Sequence, residues 1–572
     1  MVRPATDRAK IAFALALLIL LSTHALFSGR LMDGHDPPAY PPRLTEFAKV
    51  LGEHQFPPVW APDFSNGHGQ PLFEFFPPLT YLVALPLFEC GLSLADSLQF
   101  SLAMLFAMGA VAVYLLGRGA SFSPIASLGG AAAWLFAPYQ ALDLYVRVDS
   151  AESSALAVAP IALLALTAVL RRPTMSRVAL GAAAIALLPL AHNAVALLMV
   201  PIFGVIVVVR SAISERPLRT AAAGAAAIAG ALGLSAFFWL PALLEKDLVK
   251  TELHRTGYFL WSNHIISPWQ LLWGRWGFGY SVPGPHDGMS FSLGLVHVAL
   301  AIEGVLIGVR ALSRPRRVYA MLFAGIALAG ALLATEWSSP VWARITTLQC
   351  FQFPWRALCV PALFMPLLAF YAFEPLAPRA SFAVILLLVL VNLNHTEPKG
   401  YLIFDDAYYG PASIAQNGLE TVSGGYFEPR WVESTLKYTG DGILVPTALT
   451  SVRKLSWTST RHAYSVVSPG LVRAIDSTNY YPGWTVLIDG HETTISPAPV
   501  FGTISFEVPP GQHTITVELR PTPVRRVGLI ISLATLAVLL STLAAAYFAR
   551  MESSSQISNG ATAAARDASP DS

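Results

Sequence analysis

Charge is what this chain lacks. Only 13% of its 572 residues are Asp, Glu, Lys or Arg, against roughly 25% in an ordinary soluble protein. The deficit falls in runs of about 15 to 25 residues with no charged side chain, the length that crosses a bilayer core. With 54% of the residues hydrophobic, a soluble protein is excluded and a polytopic α-helical membrane protein is expected. Cysteine is scarce too. Cys90, Cys350 and Cys359 make neither a disulfide framework nor a zinc site. There is no basic tract of the kind that grips nucleic acid, and the net charge of +2 is uninformative because placement matters more than the sum.

The placement of arginine and lysine orders the chain. Arg3, Arg8 and Lys10 precede "IAFALALLILLSTHALF", which has no clear small-residue cleavage site and reads as an uncleaved first span. Further clusters follow at Arg118, Arg171/Arg172/Arg177, Arg210/Arg216/Arg219, Arg310/Arg314/Arg316/Arg317 and Arg379. If all face the cytoplasm, the spans between them occur in pairs. Residues 72–92, "LFEFFPPLTYLVALPLFECGL", then lie in the outer interface instead of crossing, and the next true span covers about 97–117. The run Val178–Val209 is 32 residues long, about 48 Å as one helix, against a core of about 30 Å. It is expected to turn at His192-Asn193 into two short spans. The count becomes about twelve spans, with the N- and C-termini cytoplasmic and outward segments at 29–96, 141–154, 242–290 and 336–356.

Residues 395–526 are different in kind. "YYPGWTVLIDGHETTI" alternates Trp484, Val486 and Ile488 on one face and turns at Asp489-Gly490, a hairpin signal. "FGTISFEVPPGQHTITVELRP" repeats the alternation with Ile504/Phe506/Val508, a Pro-Pro-Gly turn and Ile515/Val517/Leu519. An extracytoplasmic antiparallel β-sandwich is expected, following a transmembrane domain over 1–394. A last span over 527–549 and a disordered cytoplasmic tail over 550–572 complete the chain. Arg525 and Arg526 stand on the outer side of that last span, against the trend of the other clusters.

Ionisable groups at a membrane face are expensive and therefore candidates for function. In "GRLMDGHDPPAYPPR", residues 29–43, Asp33 and Asp36 flank His35. Asp36 before two prolines suits a helix N-cap, a role compatible with facing a cavity. Arg43 follows in a short amphipathic helix. "FPPVWAPDFSNGHGQP" reads as an irregular loop. "LDLYVRVDSAE" carries Asp143, Arg147, Asp149 and Glu152, with an Arg147–Glu152 ion pair expected. His192 stands at the turn, and Arg356 beside Trp355 at the mouth of a span; the planar fork of arginine suits phosphate. Together these acids and arginines on one membrane face suit an anionic amphiphile and a proton.

The residues "GHDPPAYPPRL…W-A-P-D…G-H-G-Q-P…F-F-P-P-L-T-Y", "YVRVDSAE", "LAHNA", "FFWLPALLEK" and "LQCFQFPWR" resemble the integral membrane family called 6-pyruvoyl-tetrahydropterin synthase-related, and more broadly the GT-C superfamily of glycosyltransferases. "YYPGWTVLIDG" and "GQHTITVELRP" are similar to the C-terminal region of YfhO-like membrane proteins. Pterin chemistry itself is excluded, since no His-x-His or compact zinc spacing exists in the chain. The GT-C resemblance implies transfer of a sugar from a polyprenyl-phosphate carrier to a glycan, lipid or protein acceptor at the outer face of the cell membrane. It implies Asp36 as base or metal holder and matches Arg43 to the family's downstream arginine; a divalent cation is left open. Their place on the same membrane face makes Asp33 the expected helper of Asp36, and His35, Arg147, Glu152, His192 and Arg356 the expected substrate-binding groups. This chain has Tyr40 where the family pattern carries histidine, which counts against a metal more than against a base. The competing expectations are a non-catalytic membrane factor for polysaccharide or lipid assembly or translocation, and an ion-coupled transporter. The transporter would require Glu303 on a polar path.

Overall fold

The computed structural model describes residues 5–403, 405–419, 425–437, 440–445 and 450–567. Among them are nine helices long and apolar enough to cross a membrane, such as Leu94–Gly119, Ser150–Arg171 and Pro354–Phe373, and four shorter apolar helices. Three of the shorter ones, Pro124–Leu135, Met175–Ala191 and Leu295–Val309, pack among the long ones. The fourth, Leu79–Glu89, is the core of the stretch expected in the interface, and it too packs against the long helices Leu94–Gly119 and Ser150–Arg171.

The long apolar run breaks where expected. Helix α1 (Met175–Ala191) ends at His192, whose extended backbone (φ −160°, ψ 124°) starts α2 (Asn193–Ala212). The His192 ring caps the new helix, its Nδ1 accepting from the Val195 amide at 3.3 Å. The pair forms a hairpin, because Arg171 and Thr174 before α1 and Arg210 at the end of α2 line one and the same cavity. Arg316 lines it too, so three of the arginine clusters do share one end of the bundle. Glu303 sits on the exposed side of its helix and lines neither of the two large cavities described below.

The β-region is a two-sheet sandwich. Strands β1 (Ile443–Leu444), β2 (Ser451–Trp457), β3 (Arg461–Ser468), β4 (Val472–Asn479), β5 (Trp484–Ile488), β6 (His491–Thr493), β7 (Ser496–Pro497), β8 (Thr503–Val508) and β9 (Gly511–Leu519) form sheets of order β1-β4-β8-β7 and β2-β3-β9-β5-β6. The Asp489-Gly490 hairpin is present between β5 and β6, with φ of 53° and 85°, as a tight primed turn requires. The Pro-Pro-Gly stretch is not a hairpin. It carries the chain from β8 in one sheet to β9 in the other, because Pro509 and Pro510 offer no N–H to a ladder. Tyr464, Val466, Trp484, Val486, Phe506 and Val517 fill the space between the sheets, and Trp60 and Phe75 of the first loop enter the same core.

The loop and the sandwich are fastened by more than packing. The Asn479 side chain donates to Gly69 O at 2.9 Å and to Ser65 Oγ at 3.2 Å. A Cβ on Gly69 would lie 2.4 Å from the Trp60 ring, so glycine is required by the tryptophan. Arg525 explains its own anomaly. It is buried, with Nη2 2.7 Å from Glu74 Oε2 and Nε 3.2 Å from Glu245 Oε2, and its guanidinium lies over the Tyr481 ring at 5.0 Å. It is a joint between the short helix Leu72–Phe75, the 236–244 helix, the sandwich and the last helix (α3, Pro523–Asp567). The tail expected to be disordered from residue 550 continues α3 as far as Asp567, and its last five residues lie outside the described ones.

Arg525→Ala leaves two buried carboxylates without their cation, a loss of about 3–5 kcal/mol. Thermal unfolding of the detergent-solubilised protein is expected to show that loss, while Arg526→Ala, at an exposed neighbour, changes stability by less than about 0.5 kcal/mol.

Candidate functional site

The segment 138–150 builds the site's foundation. A π-helical turn over Leu142–Arg147 ends at Val148, whose φ of 54° is left-handed, a costly conformation for a β-branched residue. This reversal brings Asp149 to the N-cap of the helix Ser150–Arg171, where its Oδ1 accepts from the amides of Ala151 (3.1 Å) and Glu152 (3.0 Å). It also turns Arg147 back onto the acids around it. The Arg147 guanidinium, 4% exposed, meets Asp149 Oδ2 at 2.8 Å, Glu152 Oε2 at 2.6 Å and Asp143, with the Trp355 ring 4.9 Å away. Arg356 completes the cluster from the far side of the bundle, with Nε 2.9 Å from Glu152 Oε2.

The first loop docks on the same residue. The amides of His35 and Asp36 both donate to Arg147 O at 3.0 Å. Gly34 packs so closely on Val148 that a Cβ there would approach its Cγ2 to 2.4 Å. Thus "GHD" is held against "VRVD" by two backbone hydrogen bonds and the Gly34–Val148 contact. Asp36 occupies the N-cap position of the turn Pro37–Ala39 but accepts no capping bond. Its carboxylate, 39% exposed, faces a cavity, and Arg147 Nη2 stands 3.9 Å off, beyond hydrogen-bond range.

That cavity, of about 1280 Å³, is lined by His35, Asp36, Arg43, Arg147, His192 and Arg356, six of the eight residues expected from the sequence. Glu152 lies behind its wall, bound to Arg147, Arg356 and, through Oε1, the Tyr139 hydroxyl at 2.6 Å. Asp33 is elsewhere: its carboxylate pairs with Lys399 Nζ at 3.3 Å and its amide donates to Gly400 O. Arg147 and Arg356 line the cavity, yet both are committed to carboxylates, so neither presents a free fork to a phosphate. Sequence reading missed Tyr40, whose hydroxyl donates to Asp149 Oδ1 at 2.6 Å. It also missed Tyr258, Tyr280 and Arg255 on the cavity wall. His35 stacks on Tyr280, 4.4 Å between ring centres. Arg255 is exposed and pairs with no carboxylate among the described residues. The alternation of Trp, His and Tyr in residues 254–280 was the available signal, and it reads equally well as an interfacial aromatic belt.

The electrostatics separate the acids. Burial in the walled cavity, with Asp149 nearby, outweighs the arginines and pushes Asp36 up to about 6. Burial acts on Asp149 in the same sense, but Arg147, His192 and Arg356 outweigh it and hold that carboxyl below the usual range. Burial lowers His192 and His35 to about 4, so both rings are neutral at pH 7.

Asp149, Glu152 and His192 bring ligand atoms within 4.8 Å of one another, the composition of a divalent-cation site. They do not fit one. Both oxygens of each carboxylate already accept from Arg147, Arg356, Tyr40, Tyr139 or backbone amides. A cation there would also face two guanidinium groups at contact distance.

Residues 73–271 match the family described as 6-pyruvoyl-tetrahydropterin synthase related domain, a membrane protein; the match ends before the β-sandwich. No curated protein matches the chain. Among solved structures, the arabinofuranosyltransferase AftD from Mycobacteria is similar over 72% of this chain and 27% of its own, at 16% identity and TM-score 0.43. ArnT from Cupriavidus metallidurans, bound to undecaprenyl phosphate, is similar over 68% of this chain and 64% of its own, at 14% and 0.41. The oligosaccharyltransferase of Archaeoglobus fulgidus is similar over 73% and 56%, at 14% and 0.38. The chain spans less than two thirds of the length of each.

The raised Asp36 has a consequence for stability. Its folded-state value of about 6 exceeds the ordinary 3.8, so ionising it costs stability; the cost is absent below pH 3.8 and complete above about 6. Asp36→Asn is therefore expected to raise the thermal midpoint at pH 8 relative to the parent. The two curves converge as pH falls through 6 towards 4, and a difference independent of pH would contradict the assignment.

Proposed function

We propose that this protein is a membrane glycosyltransferase that moves a sugar from a polyprenyl-phosphate-linked donor to an extracytoplasmic acceptor, a glycan, lipid or protein of the cell envelope. The observation that carries the reading is Asp36. It is a cavity-facing carboxylate without a hydrogen-bonded cation, set beside acids that are all neutralised, and tuned to about 6. A general base for a hydroxyl needs this combination of access and matched pKa. A structural ion pair would have closed on its arginine.

In the proposed reaction Asp36 accepts the proton of an acceptor hydroxyl as that oxygen attacks the anomeric carbon. The bond from the anomeric carbon to the phosphate oxygen breaks, and polyprenyl phosphate leaves with the electron pair, needing no strong acid. Arg147 and Arg356 do not hold the leaving phosphate. Their part is to fix Asp149, Glu152 and the loop that carries Asp36, and their positive field favours ionised Asp36. Arg255, exposed on the cavity wall, is the cation placed to meet phosphate. No step is routed through a metal. Aromatic side chains, among them Phe76, Trp239, Tyr258, Phe259 and Phe353, suit both a sugar face and an isoprenoid chain. In this reading the Asp36 end of the bundle and the sandwich face outward, and the arginine end faces the cytoplasm.

Asp36→Asn is expected to lower sugar transfer about 100- to 10,000-fold in membranes supplied with lipid-linked sugar. The parent's rate rises with pH to a plateau, with an apparent pKa of about 6. Intact transfer by Asp36→Asn sinks the proposal. In cells, deletion is expected to accumulate the lipid-linked donor and to remove one surface glycan; unchanged donor pools would favour an assembly factor.

A further inference from the structure

The second large cavity lies at the opposite end of the bundle. Helix Ser150–Arg171 places Asp149 in the first cavity and Arg171 in the second, about 30 Å apart at 1.5 Å per residue. This second cavity has a volume of about 810 Å³. Its rim carries Arg171, Arg172, Arg210, Arg216, Arg219 and Arg316 against a single acid, Glu215. None of the six arginines forms an ion pair with a carboxylate among the described residues. Its floor is apolar, reaching two helical turns inward from Arg171 to Leu163 and on to Phe323, Leu367 and Phe370.

The positive-inside rule accounts for arginines at this end, but not for their convergence. Arg177, Arg310, Arg314 and Arg317 satisfy the rule without lining the cavity. Six guanidinium groups around one hollow repel each other unless an anion joins them. Two are also held in place: Arg316 donates to Ser121 O at 2.9 Å and lies over the Phe122 ring at 4.6 Å, and Arg219 donates to Pro173 O at 3.3 Å. A cationic rim over an apolar floor, at a helix-bundle end, matches one ligand chemistry: a phosphate headgroup attached to acyl chains.

We propose that this cavity binds an anionic phospholipid of the adjacent leaflet, its phosphate among Arg171, Arg210 and Arg316 and its chains over the Thr167–Leu163 floor. The site is separate from the sugar-transfer reading and stands or falls without it.

The test uses the full-length protein purified in detergent, with retained lipids counted by native mass spectrometry and the thermal midpoint followed as lipid is added. Phosphatidylglycerol is expected to be retained and to raise the midpoint, while phosphatidylcholine does neither. R171Q/R210Q/R316Q is expected to weaken the phosphatidylglycerol effect about 100-fold, and R310Q/R314Q to leave it unchanged. Thr167→Trp fills the floor while keeping every charge, and is expected to weaken binding as well. It keeps the test valid if the triple variant fails to insert. Equal retention of the two lipids, undiminished binding by Thr167→Trp, or an equal midpoint rise with inorganic phosphate alone would each overturn the proposal.

Discussion

The Arg147 guanidinium, buried among Asp143, Asp149 and Glu152, is the interaction on which the remainder of the site depends. Burying one cation with three acids is costly in a low-dielectric interior and is tolerable only when every charge is bonded. The chain meets that condition by local means. A π-turn and a left-handed Val148 fold the segment back so that Arg147 reaches acids before and after it in sequence. Arg356 arrives from another helix to balance the surplus negative charge on Glu152. Once the guanidinium is fixed, its carbonyl is fixed too, and that carbonyl holds the amides of His35 and Asp36. The same residue thereby neutralises the acids that stay inert and positions the acid left free.

This division of labour explains why residue types alone could not assign roles. Asp33, Asp36, Asp143, Asp149 and Glu152 are similar in sequence and unlike in the molecule. One pairs with Lys399 at the loop's edge, three are locked onto arginines, and one faces open space. The arginines invert the expectation in the same way: those that looked suited to phosphate are spent on carboxylates.

What was legible in the sequence was whatever rests on periodicity or on the cost of charge in a membrane. Alternation along residues 484–488 and 503–519 gave the sandwich strands, and Asp489-Gly490 gave a turn. The length of the apolar run between two arginine clusters gave the break at His192. What escaped was set by partners distant in the chain. Nothing near Arg525 announces Glu74 or Glu245, so an arginine on the outer side looked misplaced when it is a buried joint. Pro509-Pro510-Gly511 looks like any turn, and only the pairing of its two strands with other partners reveals a change of sheet. Tyr40 read as a departure from a pattern, yet its hydroxyl completes the shell of Asp149.

The fastening of the first loop to the sandwich also sets an order of events in synthesis. Asn479 bonds Gly69 across 410 residues of chain, and Trp60 packs on Tyr481 and Trp484. At about 5–20 residues per second on the ribosome, the loop is made tens of seconds before its partner exists. During that interval Trp60 and Phe75 have no sandwich to enter, and Glu74 has no cation. The loop's apolar side chains stay uncovered until then, and the cavity around Asp36 takes its final shape only after almost the whole polypeptide has been made.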